Sequence, residues 1–308
     1  MTRKKSYLVL LVLLILFPLA LMGLGLYCCS YKRGFTIKKI SSKLHHNELW
    51  ETQALSYEEK EHLMNEILSQ TFYYLGSGSH CYSFASQDDK YVIKFFKMHK
   101  ILPKNWLRDF PFSLFEKYRL DNVEKRQDFF ETFFKSFKDA YEYLHEESGM
   151  ICLHLNKTRE LKKKITVIDY EGKKVLVDLD SKEFIVQRKA EKICEYLLKL
   201  RDKGKEEAVH RAVRSFLEII AVRCQRGYGD QDTEFRNNVG FSNGRAIFVD
   251  CGHFFVDKSL KYPHHFQAEI LKATEKMSQW AEQFYPDLAI ILQEEAQAVI
   301  DKYIKMAD

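Results

Sequence analysis

The chain has 308 residues, 46% hydrophobic and 14% aromatic, enough for one large domain or two lobes with a sizeable core. Its 48 Lys and Arg nearly balance 43 Asp and Glu, leaving +5, and no basic stretch is interleaved with aromatics as a base-stacking platform. Nucleic acid is therefore not an expected partner. The 7 cysteines, scattered and without a CxxC, argue against a disulfide framework or a cysteine zinc site. The pairs His45-His46 and His264-His265 are sequence neighbours that do not share a helix face, so they read as surface residues rather than metal ligands.

Residues 7–27 form an uncharged apolar run of 21 residues. A helix of that length spans roughly 30 Å, the thickness of a bilayer core. The run is read as one transmembrane anchor. A cleaved signal peptide, with Gly23 and Gly25 near the cleavage point, is the competing reading. Arg3, Lys4 and Lys5 precede the run, and Lys32, Arg33, Lys38, Lys39 and Lys43 follow it. The excess after the run leans toward a cytoplasmic main domain.

Residues 31–55 are polar and mixed, and read as a juxtamembrane linker. Ser56-x-x-Glu59 is a capping box opening an amphipathic helix over 57–69. Apolar 72–75, the loop Gly76-Ser77-Gly78-Ser79, strand-like 81–85, a turn over 87–90 and a returning strand over 91–96 follow. Phe129, Phe130, Phe133, Phe134, Phe137, Tyr141 and Leu144 then recur at helical spacing, a core-packing stripe. A second hairpin is predicted over 165–179, another strand over 184–187, and helices over 191–202 and 205–225. A third hairpin and two closing helices, with Pro263 and Pro286 near their starts, complete the chain. The predicted order gives an α+β first part and a helical second part. The expected divisions are an anchor over 1–30, a linker over 31–55, a β-rich lobe over 56–190 and a short helical lobe over 191–308.

Residues 230–252, DQDTEFRNNVGFSNGRAIFVDCG, carry the chemistry. Asn243-Gly244 is the favoured two-residue hairpin turn. With that turn Ser242 faces Arg245, and counting outward Asn237 faces Asp250. A carboxylate and an amide oxygen are thereby expected at the open end of one hairpin, both suited to Mg²⁺. Asp232 lies within a loop's reach of the same point. Upstream, a turn at Asp88-Asp89 sets Lys94 opposite Ser83, on a strand that runs back toward the glycines, with Val92 on the same face as Lys94.

The ordered set (glycine loop, strand lysine, helix, Asp-x4-Asn, hairpin, Asp-x-Gly) resembles the protein-kinase-like superfamily over about 71–255. The resemblance implies a two-lobed fold that binds Mg²⁺ and ATP. Gly76, Ser77 and Gly78 would cover the phosphates. Lys94 would pair with them, and Val92 would line the base pocket. Asp232 would act as base toward a hydroxyl acceptor, and Asn237 and Asp250 would hold Mg²⁺. Residues 187–190 would be the linker meeting adenine. Glu131 is the chosen acidic partner for Lys94, with Glu116, Glu124 and Asp128 left open. The chain departs from the family pattern at His80-Cys81, at Asp230-Gln231 and at Cys251. It has no Ala-Pro-Glu after Gly252, and so looks closer to compact bacterial members such as aminoglycoside or lipopolysaccharide-core sugar kinases. Two readings result: a membrane-anchored phosphotransferase acting on a sugar, lipid or protein hydroxyl, and an inactive nucleotide- or protein-binding pseudokinase. Asn156-Lys157-Thr158 also matches a glycosylation sequon, relevant only to an extracytoplasmic domain.

Overall fold

A computed structural model of the protein describes residues 16–17, 34–104 and 116–305. The apolar run 7–27 lies outside the described residues except for Leu16 and Phe17, which are helical. Among the described residues no helix is long and apolar enough to cross a membrane.

The architecture is mixed α+β. Strands β1 (Phe72–Ser77), β2 (Cys81–Ser86), β3 (Tyr91–Phe96), β4 (Met150–His154), β5 (Lys164–Ile168), β6 (Lys174–Asp178) and β7 (Phe184–Arg188) form a seven-stranded sheet in the order β4-β7-β3-β2-β1-β5-β6. The Asp88-Asp89 turn, with Asp89 at φ 62, sets Ser83 opposite Lys94 as the sequence predicts. The β5–β6 hairpin joins the edge by parallel pairing with β1. Strand β4 goes unpredicted because its short apolar run lacks the alternation that marks a half-buried strand.

Residues 34–52 are not a free linker. Phe35 is buried edge-on against Tyr82 and Phe84. Asn47 N–H donates to Asn156 Oδ1 at 3.1 Å, and Asn156 Nδ2 donates back to the Asn47 carbonyl at 2.9 Å. The segment thus straps the sheet, and the amide of the sequon residue Asn156 is buried in that exchange. Composition alone could not reveal this, because a polar strap and a polar linker have the same residue content.

Helix α1 (Tyr57–His62) begins at the predicted Ser56/Glu59 capping box and runs into a π turn over Leu63–Ile67. The short α2 (Met98–Ile101) follows β3. Helix α3 (Glu116–Tyr143) carries the aromatic stripe, with Phe130, Phe133, Phe134 and Phe137 in the core. After α4 (His145–Ser148), strands β4 to β7 lead to β8 (Glu191–Lys192), the first piece of the second part.

The second part contains α5 (Ile193–Asp202), α6 (Glu206–Gln225), β9 (Tyr228–Asp230), α7 (Phe235–Asn238), β10 (Val239–Ser242), β11 (Arg245–Phe248), β12 (Phe254–Val256), α8 (Pro263–Phe284) and α9 (Leu288–Lys305). Strand β8 pairs with β10, giving a small sheet β11-β10-β8. Helices α6, α8 and α9 pack together on apolar faces. The buried Glu295 of α9 is held there by His210 (2.9 Å) and Arg214 (2.6 Å) of α6.

Candidate functional site

A cleft of about 560 Å³ lies between the large sheet and the second part. Gly76, Ser77, Gly78, Val92, Lys94, Asp232, Asn237 and Asp250 all line it. Two devices assemble the two sides of the cleft. The β2–β3 hairpin returns Lys94 toward the glycine loop. The β9–β12 pair sets Asp230 opposite Phe254, which ties the Asp232 loop to the Asp250 turn.

The glycine loop is open on the cleft side. A Cβ added at Gly76 or at Gly78 would meet nothing within 4 Å. Neither glycine is required by the packing of the chain itself. Behind the loop Lys97, which is buried, donates to Ser77 Oγ at 2.6 Å and to the Gly78 carbonyl.

Lys94 is nearly buried, and its Nζ donates to the carbonyl of Val249, the residue before Asp250. No ion pair joins Lys94 to a carboxylate among the described residues. Glu131 is not its partner. That carboxylate is solvent-exposed and accepts from Gln127 Nε2 at 2.5 Å, one turn away on the same helix. The physical reason is helical phase: Phe133 and Phe137 face inward, and Glu131 lies two residues, about 200°, from Phe133. An inward polar position of the stripe is Ser136. Its buried hydroxyl donates to the Cys251 carbonyl and accepts from Phe254 N–H at 2.7 Å. Helix α3 therefore grips the Asp250–Gly252 turn through a hydroxyl. Gly252 must be glycine there, because a Cβ would overlap the Phe133 ring.

The third hairpin has the predicted turn, with Asn243 at φ 51 and Gly244 at φ 78, and Ser242 opposite Arg245. Its ladder ends at Val239 opposite Phe248. Beyond that pair the short helix α7 replaces strand, so the outward count to Asn237 opposite Asp250 does not hold. The Asn238 carbonyl instead accepts from both Val249 N–H (2.7 Å) and Asp250 N–H (3.5 Å). The Asn238 side chain donates from Nδ2 to the Asp232 carbonyl at 3.1 Å, which assigns its Oδ1 as the outward acceptor. Asn237 is exposed, and its Oδ1 accepts from Lys192 Nζ at 3.2 Å. Both asparagines line the cleft. Only Asn238 is tied to Asp232 and Asp250 together.

Asp250 Oδ1 accepts from Gly252 N–H at 3.0 Å, and Asp232 Oδ1 accepts from Glu234 N–H at 3.2 Å. Each carboxylate is oriented by the turn it opens. The Asp232 loop is itself held by Asp230, whose Oδ1 accepts from Asp232 N–H at 3.0 Å and whose Oδ2 pairs with Arg223 at 3.2 Å. Arg223 is buried, reaches Glu269 at 3.1 Å, and lies against the rings of Phe248 and Phe254. Burial raises the Asp230 carboxyl to about 6, against the opposing pull of Arg223. On the linker side, buried Gln187 donates to the Ser148 (2.5 Å) and Phe248 (2.8 Å) carbonyls and so joins the two parts. Arg188 N–H and Lys189 N–H donate to the Gly149 and Lys90 carbonyls, each at 2.8 Å, so neither faces the cleft as a donor. Among the described residues no three His, Cys, Asp or Glu side chains form a metal-ligand cluster.

No protein-family model matches the chain, and no curated protein matches it. Solved structures that resemble it include two of WbdD. One is WbdD with a bound kinase inhibitor, at 13% identity over 75% of this chain and 45% of that one, TM-score 0.35. The other is the bifunctional kinase-methyltransferase WbdD, at 14% identity over 73% of this chain and 43% of that one, TM-score 0.31. The chain thus spans less than half the length of either.

Three residues of the cleft's framework are absent from the sequence-based set: Lys97, Ser136 and Asn238. Ser136 had a signal, as a small polar residue between Phe133 and Phe137 of the aromatic stripe. Asn238 had one as the neighbour of a chosen asparagine. Lys97 had none, because its role depends on a loop that closes only in three dimensions.

Proposed function

We propose that the chain is a kinase-like protein that binds Mg²⁺ and ATP in this cleft and transfers phosphate to a hydroxyl acceptor. The observation that carries the reading is the joint tie of Asn238 to the Asp232 carbonyl and to the Asp250 N–H. It supports a site in which one amide oxygen and two carboxylates share the lining of the cleft. Those are hard oxygen donors, too few for a closed cage and suited to a cation that takes its remaining ligands from phosphates and water. Mg²⁺ bound there would neutralise phosphate charge.

In this reading Asn238 and Asp250 hold the cation, and Asn238 takes the part that the hairpin count gave to Asn237. Lys94, steadied by the Val249 carbonyl, meets the phosphates under the Gly76-Ser77-Gly78 loop. Val92 and Ala190 flank the base. Asp232 accepts the proton of the attacking hydroxyl, turned toward it by the Glu234 N–H. Asp232 also lines a second hollow of about 470 Å³ with Thr233, Lys276 and Trp280, an approach path for the acceptor. Residues 7–27 are proposed to anchor the chain in a membrane with this domain on the cytoplasmic side. A reporter fused to the C terminus is then active only in its cytoplasmic form.

A second reading, a pseudokinase that binds nucleotide without transfer, is favoured by one observation. Lys94 is held by a backbone carbonyl and has no carboxylate partner among the described residues. The test is titration of the full chain in detergent with an ATP analogue, with and without Mg²⁺, followed by an ATP turnover assay. Turnover supports transfer, and binding without turnover supports the second reading. If neither occurs, the nucleotide reading fails.

A further inference from the structure

Lys97 is an unusual buried cation. Only 3% of it is exposed, and it forms no ion pair among the described residues. Its Nζ is bonded instead to the glycine loop, at Ser77 Oγ (2.6 Å) and the Gly78 carbonyl, and lies 4.5 Å from the centre of the Tyr82 ring. Its own N–H donates to the His80 carbonyl at 2.7 Å, while Gly78 N–H donates to the Cys81 carbonyl at 3.1 Å. The loop is therefore curled by a backbone turn and gripped from behind by one ammonium. Ser77 and Gly78 line the cleft and Lys97 does not.

We propose that Lys97 is a positioning residue for the nucleotide. Its ammonium holds the loop in the curl that receives phosphate, so that protonation of Lys97 and binding of the phosphates favour each other. This rests on the nucleotide reading above. A buried cation without a counter-anion is costly, and a polyphosphate on the far side of the loop supplies the missing negative charge across a thin, poorly screened layer.

The surroundings leave Lys97 as the group that changes charge here just above neutral pH. Burial, then the nearby Lys100 ammonium, lowers Lys97 to about 8. The other groups that face it are Lys39 from the N-terminal strap and the Cys81 thiol of β2, with His80 and His99 beside them. Burial drives Cys81 up to about 12 and both histidines down, so all three are uncharged in this range. Lys39 is also lowered, by burial and then by Lys100. The sign follows: phosphate raises the Lys97 pKa, so affinity is full below about pH 8 and is lost as pH rises through it, by up to about tenfold per pH unit.

The experiment uses the full chain in detergent, at constant Mg²⁺, from about pH 7 to about pH 9.5. Binding of a non-hydrolysable ATP analogue is measured for the wild type, Lys97→Arg and Lys97→Met. Arginine stays charged throughout. The expected result is pH-dependent affinity in the wild type, pH-independent affinity in Lys97→Arg that is comparable to the wild type at neutral pH, and weak pH-independent affinity in Lys97→Met. Hydrogen exchange of peptides covering Gly76 to Cys81, without nucleotide, is compared between the wild type and Lys97→Arg. The wild-type loop should become less protected than the variant only above about pH 8. A constant wild-type affinity, or a pH dependence that persists in Lys97→Arg, overturns the proposal even if Lys97→Met fails to fold. Absence of analogue binding at every pH, with the loop still responding, overturns the nucleotide reading instead, and the phosphate coupling with it.

Discussion

Asn238 and Asp232 are joined by a 3.1 Å hydrogen bond from the asparagine amide to the aspartate carbonyl. The bond crosses the base of a loop and uses the amide nitrogen, which leaves the amide oxygen for the cleft. It separates two adjacent asparagines, of which the Asp-x4-Asn spacing singles out Asn237. Asn238→Ala should therefore weaken Mg²⁺-dependent nucleotide binding by about tenfold or more, while Asn237→Ala changes it by about twofold at most. Titration of both variants with an ATP analogue at fixed Mg²⁺ checks this. Equal losses, or a larger loss for Asn237, would return the ligand role to Asn237.

Asp250 and Asp232 should separate by function. Asp250 is exposed at the mouth of the cleft and holds little of the core. Asp250→Asn is expected to remove most Mg²⁺-dependent binding with little change in thermal stability. Asp232→Asn should leave binding intact and, in an active enzyme, lower transfer by about 10²- to 10⁴-fold. Calorimetric titration and a turnover assay on the same preparations distinguish the two. A large loss of stability in Asp250→Asn, with binding unchanged, would make Asp250 a structural cap.

Ser136 is the polar tie between helix α3 and the Asp250–Gly252 turn. Ser136→Ala leaves the Cys251 carbonyl and the Phe254 N–H without their buried partner. The expected cost is about 1–3 kcal/mol in chemical denaturation. Nucleotide affinity should fall as well, because the Asp250 turn loses its support. Ser136→Thr, which keeps the hydroxyl, should retain more of both.

Asp230 gives the chain an acid-side pH dependence. Its folded pKa of about 6 lies above the ordinary 3.8, because burial disfavours the charged carboxylate more than Arg223 favours it. The folded state thus holds this proton more tightly than the unfolded state. The contribution of Asp230 to stability is greatest below about pH 4 and is lost as pH rises through about 6, by no more than about 3 kcal/mol. Urea denaturation between those limits should show a shallower pH slope in Asp230→Asn than in the wild type. Unchanged slopes would mean that Arg223 fully compensates the burial.

The local structure was legible because it is written in short-range chemistry. The Ser56/Glu59 capping box, the Asn243-Gly244 turn with both residues at positive φ, and the Asp88-Asp89 turn that sets Ser83 against Lys94 each depend on a few adjacent residues. So does the aromatic stripe of α3, whose 3.6-residue period names its buried face. The meeting of distant segments was decided only by the tertiary structure. Counting outward from a turn works while the ladder lasts, and α7 ends it at Val239, which moves the tie to Asp232 and Asp250 from Asn237 to Asn238. Choosing an acidic partner for Lys94 required the rotation of α3, and that rotation turns Phe133, Ser136 and Phe137 inward and Glu131 to solvent. The strap over 34–52 shows the same limit: Phe35 is one of several apolar residues scattered through a largely polar stretch, and its burial depends on the Tyr82 and Phe84 rings that the folded sheet presents to it.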